Sequence, residues 1–166
     1  MKYLKQFLRH PRIAELALHM RNITDIDLNF AAAEEAAHLL SPQNPAVVIC
    51  IGDGAKSITG NIFRILFPIW RIRSVDPRAE TKASLHWIQR TQATRQHILH
   101  LRGVTIPTLI VAVHSHAPLP DTGDTTIAIP CCVKQTLPWK CITRRLHGVH
   151  GTKHRTIKIW SSTGVI

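Results

Sequence analysis

The stretch at residues 47–54, which reads VVICIGDG, constrains the fold of this chain more than any other. Its β-branched apolar residues predict a buried strand, and the Gly-Asp-Gly predicts a tight turn at which backbone can approach a ligand closely. Apolar residues then recur at helical spacing at Ile58, Ile62 and Leu66, and Pro68 closes that helix. A strand, a glycine turn and a helix in this order form the opening of a βαβ unit.

The rest of the chain extends this pattern. Six strands are predicted at 46–51, 70–75, 108–113, 127–132, 141–146 and 155–160. A helix is predicted over 79–93, and residues 97–101 form either the third strand in chain order or the end of that helix. These alternating elements predict a Rossmann-like doubly wound α/β sheet, mostly parallel, with an antiparallel hairpin at its C-terminal edge.

At 166 residues the chain suits a single domain, which we divide into three parts. We predict a helical preface at residues 1–44, with a loop at 22–27. We expect the ligand-binding core at residues 45–132 and the C-terminal hairpin at residues 133–166. The residues show no internal repeat.

The charge balance indicates a polyanionic partner. Lys and Arg number 21 against 10 Asp and Glu, while 45% of the residues are apolar, which predicts a folded basic domain and not a disordered tail. Nucleic acid is the leading partner. Because the chain has no run of eighteen apolar residues and no signal-peptide pattern at its start, we expect a soluble, cytoplasmic protein without a membrane partner.

Polar residues follow three of the predicted strands. They are Gly52-Asp53-Gly54, Asp76 and His114-Ser115-His116. In doubly wound sheets ligands bind beyond the carboxyl ends of the strands, where the glycines admit backbone contact and a carboxylate can accept both hydroxyls of a ribose. An adenosine-containing cofactor fits this set, although an ordinary tight turn with a solvated Asp76 would leave the same pattern.

Two common nucleotide motifs fit poorly. A nicotinamide-binding turn has Gly-x-Gly-x-x-Gly, but the third glycine position is Ser57. A phosphate-binding P-loop has glycine directly before lysine, whereas Ala55 separates Gly54 from Lys56.

The residues resemble the class I methyltransferases that use S-adenosylmethionine (SAM). VVICIGDG resembles their first motif, Asp76 their ribose-binding acid, and TLIVAVHSH the strand that delivers residues beside the methyl group. The resemblance implies SAM as cofactor, with contacts from Gly52, Asp53, Gly54, Ala55, Asp76 and Pro77. The sequence departs from the family where Arg102-Gly103 replaces the adenine-contacting acid and where a loop at 117–125 replaces a helix.

The acceptor implied by the charge is RNA, on which Trp70, Trp87, Trp139 and Trp160 could stack. Viral ribose 2′-O methyltransferases resemble one another in a Lys-Asp-Lys-Glu tetrad, but every glutamate here lies at or before Glu80. Guanine N7 carries its own lone pair and needs no general base, which favours methylation of a capped RNA 5′ end by positioning alone, without a catalytic side chain.

The segment after TLIVAV supports the same acceptor. His114 is similar to a histidine of the cap guanine-N7 methyltransferases, so we expect His114, Ser115 and His116 to contact substrate. The chain also resembles a domain of the replicase polyproteins of roniviruses, which implies viral mRNA capping in the host cytoplasm beside other replicase subunits. Cap 2′-O methylation, or a non-catalytic basic RNA-binding scaffold, remains the alternative.

Cysteine and histidine residues near the C-terminus could ligate zinc. They are Cys131, Cys132, Cys141, His147, His150 and His154. The Cys-x2-Cys spacing of a strong site is absent, and adjacent cysteines in a strand point to opposite faces. We therefore expect no metal.

Overall fold

The computed structural model describes residues 2–11, 13–18, 23–79, 89–91, 106–121, 124–130, 134–146 and 156–164. Its helices are α1 (Lys2–Leu8), α2 (Ile13–Ala17), α3 (Ile23–Leu39) and α4 (Ile58–Leu66). Its strands are β1 (Val47–Ile51), β2 (Arg71–Val75), β3 (Gln89–Thr91), β4 (Thr108–Val113), β5 (Thr125–Ile129), β6 (Lys140–Arg145) and β7 (Thr156–Ser161). No helix in these ranges is both long and apolar enough to cross a membrane.

All seven described strands form one sheet in the order β3-β2-β1-β4-β5-β7-β6. The first five strands in chain order pair in parallel, whereas β7 is antiparallel to both β5 and β6. The prediction of a Rossmann-like, mostly parallel sheet with an antiparallel C-terminal hairpin is confirmed. The order differs from the 3-2-1-4-5-6 of dinucleotide-binding folds because β7 is inserted between the fifth and sixth strands.

The run VVICI is apolar throughout because both faces of β1 are buried. Successive side chains of a strand point to opposite faces. Val48 and Cys50 join the large cluster formed with the helices, and Val47, Ile49 and Ile51 join a second cluster on the other face. A continuous apolar run is typical of a central parallel strand.

The helical preface packs against one face of this sheet. Phe7 of α1 meets Phe30 of α3 edge to face, with the ring centroids 5.1 Å apart. The Gln6 side-chain amide donates to the carbonyl oxygen of Leu66 at 3.0 Å, which ties α1 to the end of α4. Helix α3 contacts β4 and β5. The preface is therefore part of the core that supports the strands.

Three sequence predictions need correction. The loop predicted at 22–27 is wrong because α3 already begins at Ile23, and Ile26 in its first turn packs against the same core cluster as Phe30 one turn later. Residues 89–91 form β3, not helix, and this edge strand lacks the apolar run that would have revealed it. The strand predicted at 127–132 is β5 at Thr125–Ile129, since Pro130 cannot donate to the ladder. The alternative third strand at 97–101 lies outside the described residues.

Candidate functional site

The carboxyl end of β1 lies at the point where the strand order reverses. β1 is flanked by β2 on one side and β4 on the other, and all three run in the same direction. The segments that follow them, at Gly52, Asp76 and His114, therefore reach the same edge of the sheet. In open α/β sheets this is where a crevice forms and ligands bind.

The two glycines of the turn are required for different reasons. Gly52 and Gly54 have φ values of +63° and +72°, which side chains other than glycine rarely adopt. A Cβ on Gly52 would collide with the Ser115 side chain and lie 3.4 Å from the Cβ of Ala117, whereas a Cβ on Gly54 would meet no atom of the described residues within 4 Å. Gly52 is thus packed against the loop after β4, and Gly54 faces open space that a ligand could occupy.

Asp53 points away from that open space and into the beginning of α4. Its Oδ1 accepts a hydrogen bond from the backbone N–H of Thr59 at 2.7 Å, and its Oδ2 accepts from the N–H of Gly60 at 2.9 Å and from the hydroxyl of Ser74 at 2.9 Å. Burial raises the pKa of Asp53 to about 6, although these hydrogen bonds oppose the rise. The carboxylate therefore satisfies N–H groups that a helix N-terminus would otherwise offer to an anion.

Asp76 joins the turn to the end of β2. Its Oδ2 accepts from the backbone N–H of Gly54 at 2.9 Å, and its Oδ1 accepts from the N–H of Arg78 at 2.7 Å. The residue is 3% exposed, while Pro77 beside it is exposed. Oδ1 also lies 3.6 Å from the Nε of Arg78, with which it forms an ion pair. A carboxylate oxygen has two lone pairs, so Oδ2 can accept one hydrogen bond besides that from Gly54. Asp76 thus lies beside the open side of Gly54 with acceptor capacity left.

The segment after β4 supplies the other wall of the crevice. His114 has a left-handed backbone with φ +53°, and its N–H donates to the carbonyl oxygen of Ile129 at 3.1 Å. This bend turns Ser115 inward, where it is 1% exposed and its Oγ accepts from the N–H of Ala117 at 3.1 Å. His116 is exposed. Of the three predicted substrate residues, only Ser115 lies against the glycine turn.

The buried side chain of Gln135 holds this segment in place. Its Nε2 donates to the carbonyl oxygens of Ser115 and Ala117 at 3.0 and 3.2 Å. One amide group therefore serves two backbone acceptors of the wall that lies against Gly52. Gln135 is 3% exposed and comes from the segment after β5, twenty residues further along the chain than Ser115.

Sequence reasoning missed Gln135, Thr59 and Ser74. A usable signal existed for Ser74, because a buried hydroxyl within the strand RIRSV needs a hydrogen-bond partner. Thr59 contributes through its backbone N–H, which any residue carries, and nothing local marks Gln135. Ala55, a further predicted contact, is half-buried within the same turn.

The residues considered for a metal are mostly outside the described part of the chain. Cys131, Cys132, His147, His150 and His154 fall there, as does Arg102-Gly103 of the expected adenine site. Cys141 is exposed on β6, and Cys50 is buried in β1, where burial raises the pKa of its thiol. The ranges that the structure does describe hold no group of three or more His, Cys, Asp or Glu side chains placed to bind a metal.

Comparison with known proteins gives a result at the level of the fold. No family model matches the sequence, and no curated protein matches it. Among solved structures, the chain is similar to MtNAS, a nicotianamine synthase, in a mutant complex with S-adenosylmethionine, with a TM-score of 0.59 and 11% identity over 97% of this chain and 71% of that one. A complex of MtNAS with MTA and tNA gives a TM-score of 0.55 and 12% identity over 97% and 69%. The chain therefore shares the Rossmann-like α/β fold of MtNAS.

Proposed function

We propose that this protein is a SAM-dependent methyltransferase that binds SAM over the glycine turn after β1. The observation that carries the proposal is the position of the Asp53 carboxylate, which accepts two backbone N–H groups at the N-terminus of α4. Dinucleotide and P-loop sites place a phosphate group at this position of the helix. Here the position already holds a carboxylate, which would repel a phosphate.

A cofactor suited to this crevice has an adenosine but no phosphate. SAM meets both conditions, and its positive sulfonium and amino groups together outweigh its single carboxylate, so a buried carboxylate near the sulfonium does not repel it. The ribose of SAM would donate a hydrogen bond from its hydroxyls to the remaining acceptor capacity of Asp76. The open side of Gly54 would let the ligand approach the protein backbone closely. The similarity to a protein crystallised with S-adenosylmethionine supports the same choice.

Methyl transfer from SAM is an in-line displacement in which the acceptor lone pair forms a bond to the methyl carbon as the carbon–sulfur bond breaks. The protein can accelerate it by holding donor and acceptor at contact distance and in line. The wall formed by Ser115 and Ala117 against Gly52 would fix the acceptor beside the methyl group. No proton has to be removed if the acceptor is already nucleophilic.

The acceptor that we favour is the N7 atom of the guanine in an RNA cap. Its support is the formal charge of +11, which suits an RNA partner, and the nucleophilicity of N7 without a general base. Ribose 2′-O methylation of a cap is the second acceptor, and a scaffold that binds RNA without SAM is the alternative from another class. The attribution to a viral replicase, with its other subunits as partners, has support only from the sequence resemblance.

A transfer assay with labelled SAM separates these functions. One RNA carries an unmethylated cap guanosine, and a second RNA already carries the N7 methyl group. We expect label on the first RNA and none on the second. Label on the second RNA alone would refute the N7 assignment and favour the 2′-O acceptor, while RNA binding without any SAM binding would favour the scaffold.

A direct titration with SAM tests the cofactor site without an acceptor. Replacing Asp76 by Ala should weaken SAM binding by roughly ten- to a hundredfold, because hydrogen bonds to a charged group contribute about 1.5–3 kcal/mol. Asp121→Ala, which removes an exposed acid at the far end of the loop after β4, is the matched control and should leave the affinity unchanged. Equal affinities in the wild type and Asp76→Ala would exclude the ribose assignment.

A further inference from the structure

We propose that the β6–β7 ribbon, formed by Lys140–Arg145 and Thr156–Ser161, binds the phosphate backbone of the RNA acceptor. The choice of RNA over another polyanion rests on the proposed function. The location rests on independent observations of charge, exposure and strand register.

Charge is segregated along the chain. All ten acidic residues lie at or before Asp124, while residues 125–166 contain seven Lys and Arg and no acid. The described part of this region is mainly the ribbon, in which Lys140, Arg144, Arg145 and Lys158 carry the positive charge. The ribbon at this edge of the sheet thus carries cations and no acid on its own two strands. This is the electrostatic pattern of a phosphate-binding surface.

The exposure of β6 makes this charge accessible. Five of its six residues are exposed and Ile142 is partly exposed, so side chains on both faces of the strand reach solvent. Charged residues, lysine above all, also protect edge strands against aggregation. An anionic partner accounts in addition for the absence of any acid from both strands of the ribbon.

Among the described residues, one of these cations forms an ion pair with an acid of another element. Arg144 lies on the helix face and contacts Glu35 of α3, with Nη1 2.9 Å from Oε1 and 3.2 Å from Oε2. Arg145 and Lys158 lie on the opposite face, because Thr143 pairs with Lys158 and Arg145 with Thr156. Lys158 lies over the ring of Trp160, with Nζ 5.9 Å from the centroid, within the range of a cation–π contact.

The strand register places these cations beside the candidate site. Ala112, Ala128, Lys158 and Thr143 lie at one level across four neighbouring strands. Strands are spaced by about 4.8 Å, so Lys158 is about 10 Å across the sheet from Ala112, which lies two residues before His114, the first residue of the loop after β4. β6 is parallel to β5, and Arg145 at its end faces the same edge as His114. An RNA strand entering the crevice would pass over the ribbon.

The test measures binding of a labelled, unstructured RNA oligonucleotide by fluorescence anisotropy at several salt concentrations, without SAM. The double variant Arg145→Gln with Lys158→Gln removes two cations from the ribbon. The matched control, Lys5→Gln with Arg9→Gln, removes two exposed cations from the α1 region and gives the same net charge. The single variant Arg145→Gln removes an exposed side chain and therefore tests the proposal without disturbing Trp160.

We expect the ribbon variant to lower the slope of log K against log salt by about 1.4, since each contact with single-stranded nucleic acid contributes about 0.7. Arg145→Gln alone should lower it by about 0.7, and the control variant should retain the wild-type slope. Equal losses in the ribbon and control variants would overturn the proposal, as would a wild-type protein that binds polyglutamate but not RNA. Because SAM is absent from this assay, RNA binding through the ribbon can hold even where SAM titration refutes the proposed function.

Discussion

Replacing Gly52 and Gly54 separately by Ala distinguishes packing from backbone conformation at the turn. Both positions have a left-handed backbone, with φ of +63° and +72°. At Gly52 the new methyl group would collide with Ser115, with the Cβ of Ser115 only 3.0 Å away, whereas at Gly54 no atom in the described part of the chain lies within 4 Å of it. Gly54→Ala is therefore the matched control for the steric effect of Gly52→Ala.

The magnitudes follow from these two terms. An Ala in the left-handed region costs about 1–2 kcal/mol, and this cost applies equally to both variants. Displacing a buried neighbour adds about 1–3 kcal/mol, and it applies only to Gly52→Ala. We expect the free energy of unfolding to fall by about 1–2 kcal/mol for Gly54→Ala and by about 2–5 kcal/mol for Gly52→Ala.

Urea denaturation monitored by tryptophan fluorescence measures both values, because Trp70 and Trp160 are buried in the folded protein. The midpoint should shift and the slope should stay the same if the folded state remains compact. SAM titration should rank the two variants differently from urea denaturation, with the greater loss of affinity per unit of lost stability in Gly54→Ala. The methyl group of Gly54→Ala occupies the open space assigned to the ligand, so this variant should lose affinity out of proportion to its small loss of stability.

A double-mutant cycle identifies the contact responsible. Ser115→Gly removes the Oγ and Cβ that crowd the new methyl group, so it should recover most of the extra cost of Gly52→Ala. It should recover nothing for Gly54→Ala. Equal destabilisation by the two alanines, or additive effects of Gly52→Ala and Ser115→Gly, would refute the packing of the site loop against the turn.

Two further predictions concern Asp53 and Gln135. The pKa of Asp53 is raised to about 6 in the folded protein, so its stabilising contribution is full below the unfolded value of about 3.9 and is lost as the pH rises through about 6. The free energy of unfolding, measured by urea denaturation, should therefore fall by up to about 3 kcal/mol between about pH 4 and pH 8 in the wild type but not in Asp53→Asn. Parallel pH profiles of the two proteins would contradict this. Gln135→Met leaves the buried carbonyls of Ser115 and Ala117 without this donor, which should cost about 1–3 kcal/mol and speed hydrogen exchange in the loop after β4. Gln6→Met, which removes one bond at an exposed residue, is its control and should cost less.

The sequence predicts the centre of this fold well because the central strands are buried on both faces. Continuous apolar runs at β1 and β4 mark such strands, and the glycine turn is predicted from its position directly after β1. Asp76 is predicted in the same way from its position after β2. One edge of the sheet is harder to predict. β3 reads QRT, and it is a strand because it pairs with β2, not because of an apolar pattern. The other edge strand, β6 at Lys140–Arg145, agrees with the strand predicted at 141–146. The domain boundaries and the individual site contacts remain predictions.

The role of Asp53 shows why the contacts of this site could not be derived from the sequence alone. In the sequence, an acid between two glycines predicts a contact with the ligand, since the turn as a whole faces the crevice. Each glycine nevertheless takes a left-handed backbone, and the side chain between them points to Thr59, Gly60 and Ser74 instead. Ser74 comes from the neighbouring strand, so no local pattern could reveal this arrangement. Its consequence is chemical, because the carboxylate takes the place of a phosphate at α4 and so favours a cofactor that has none.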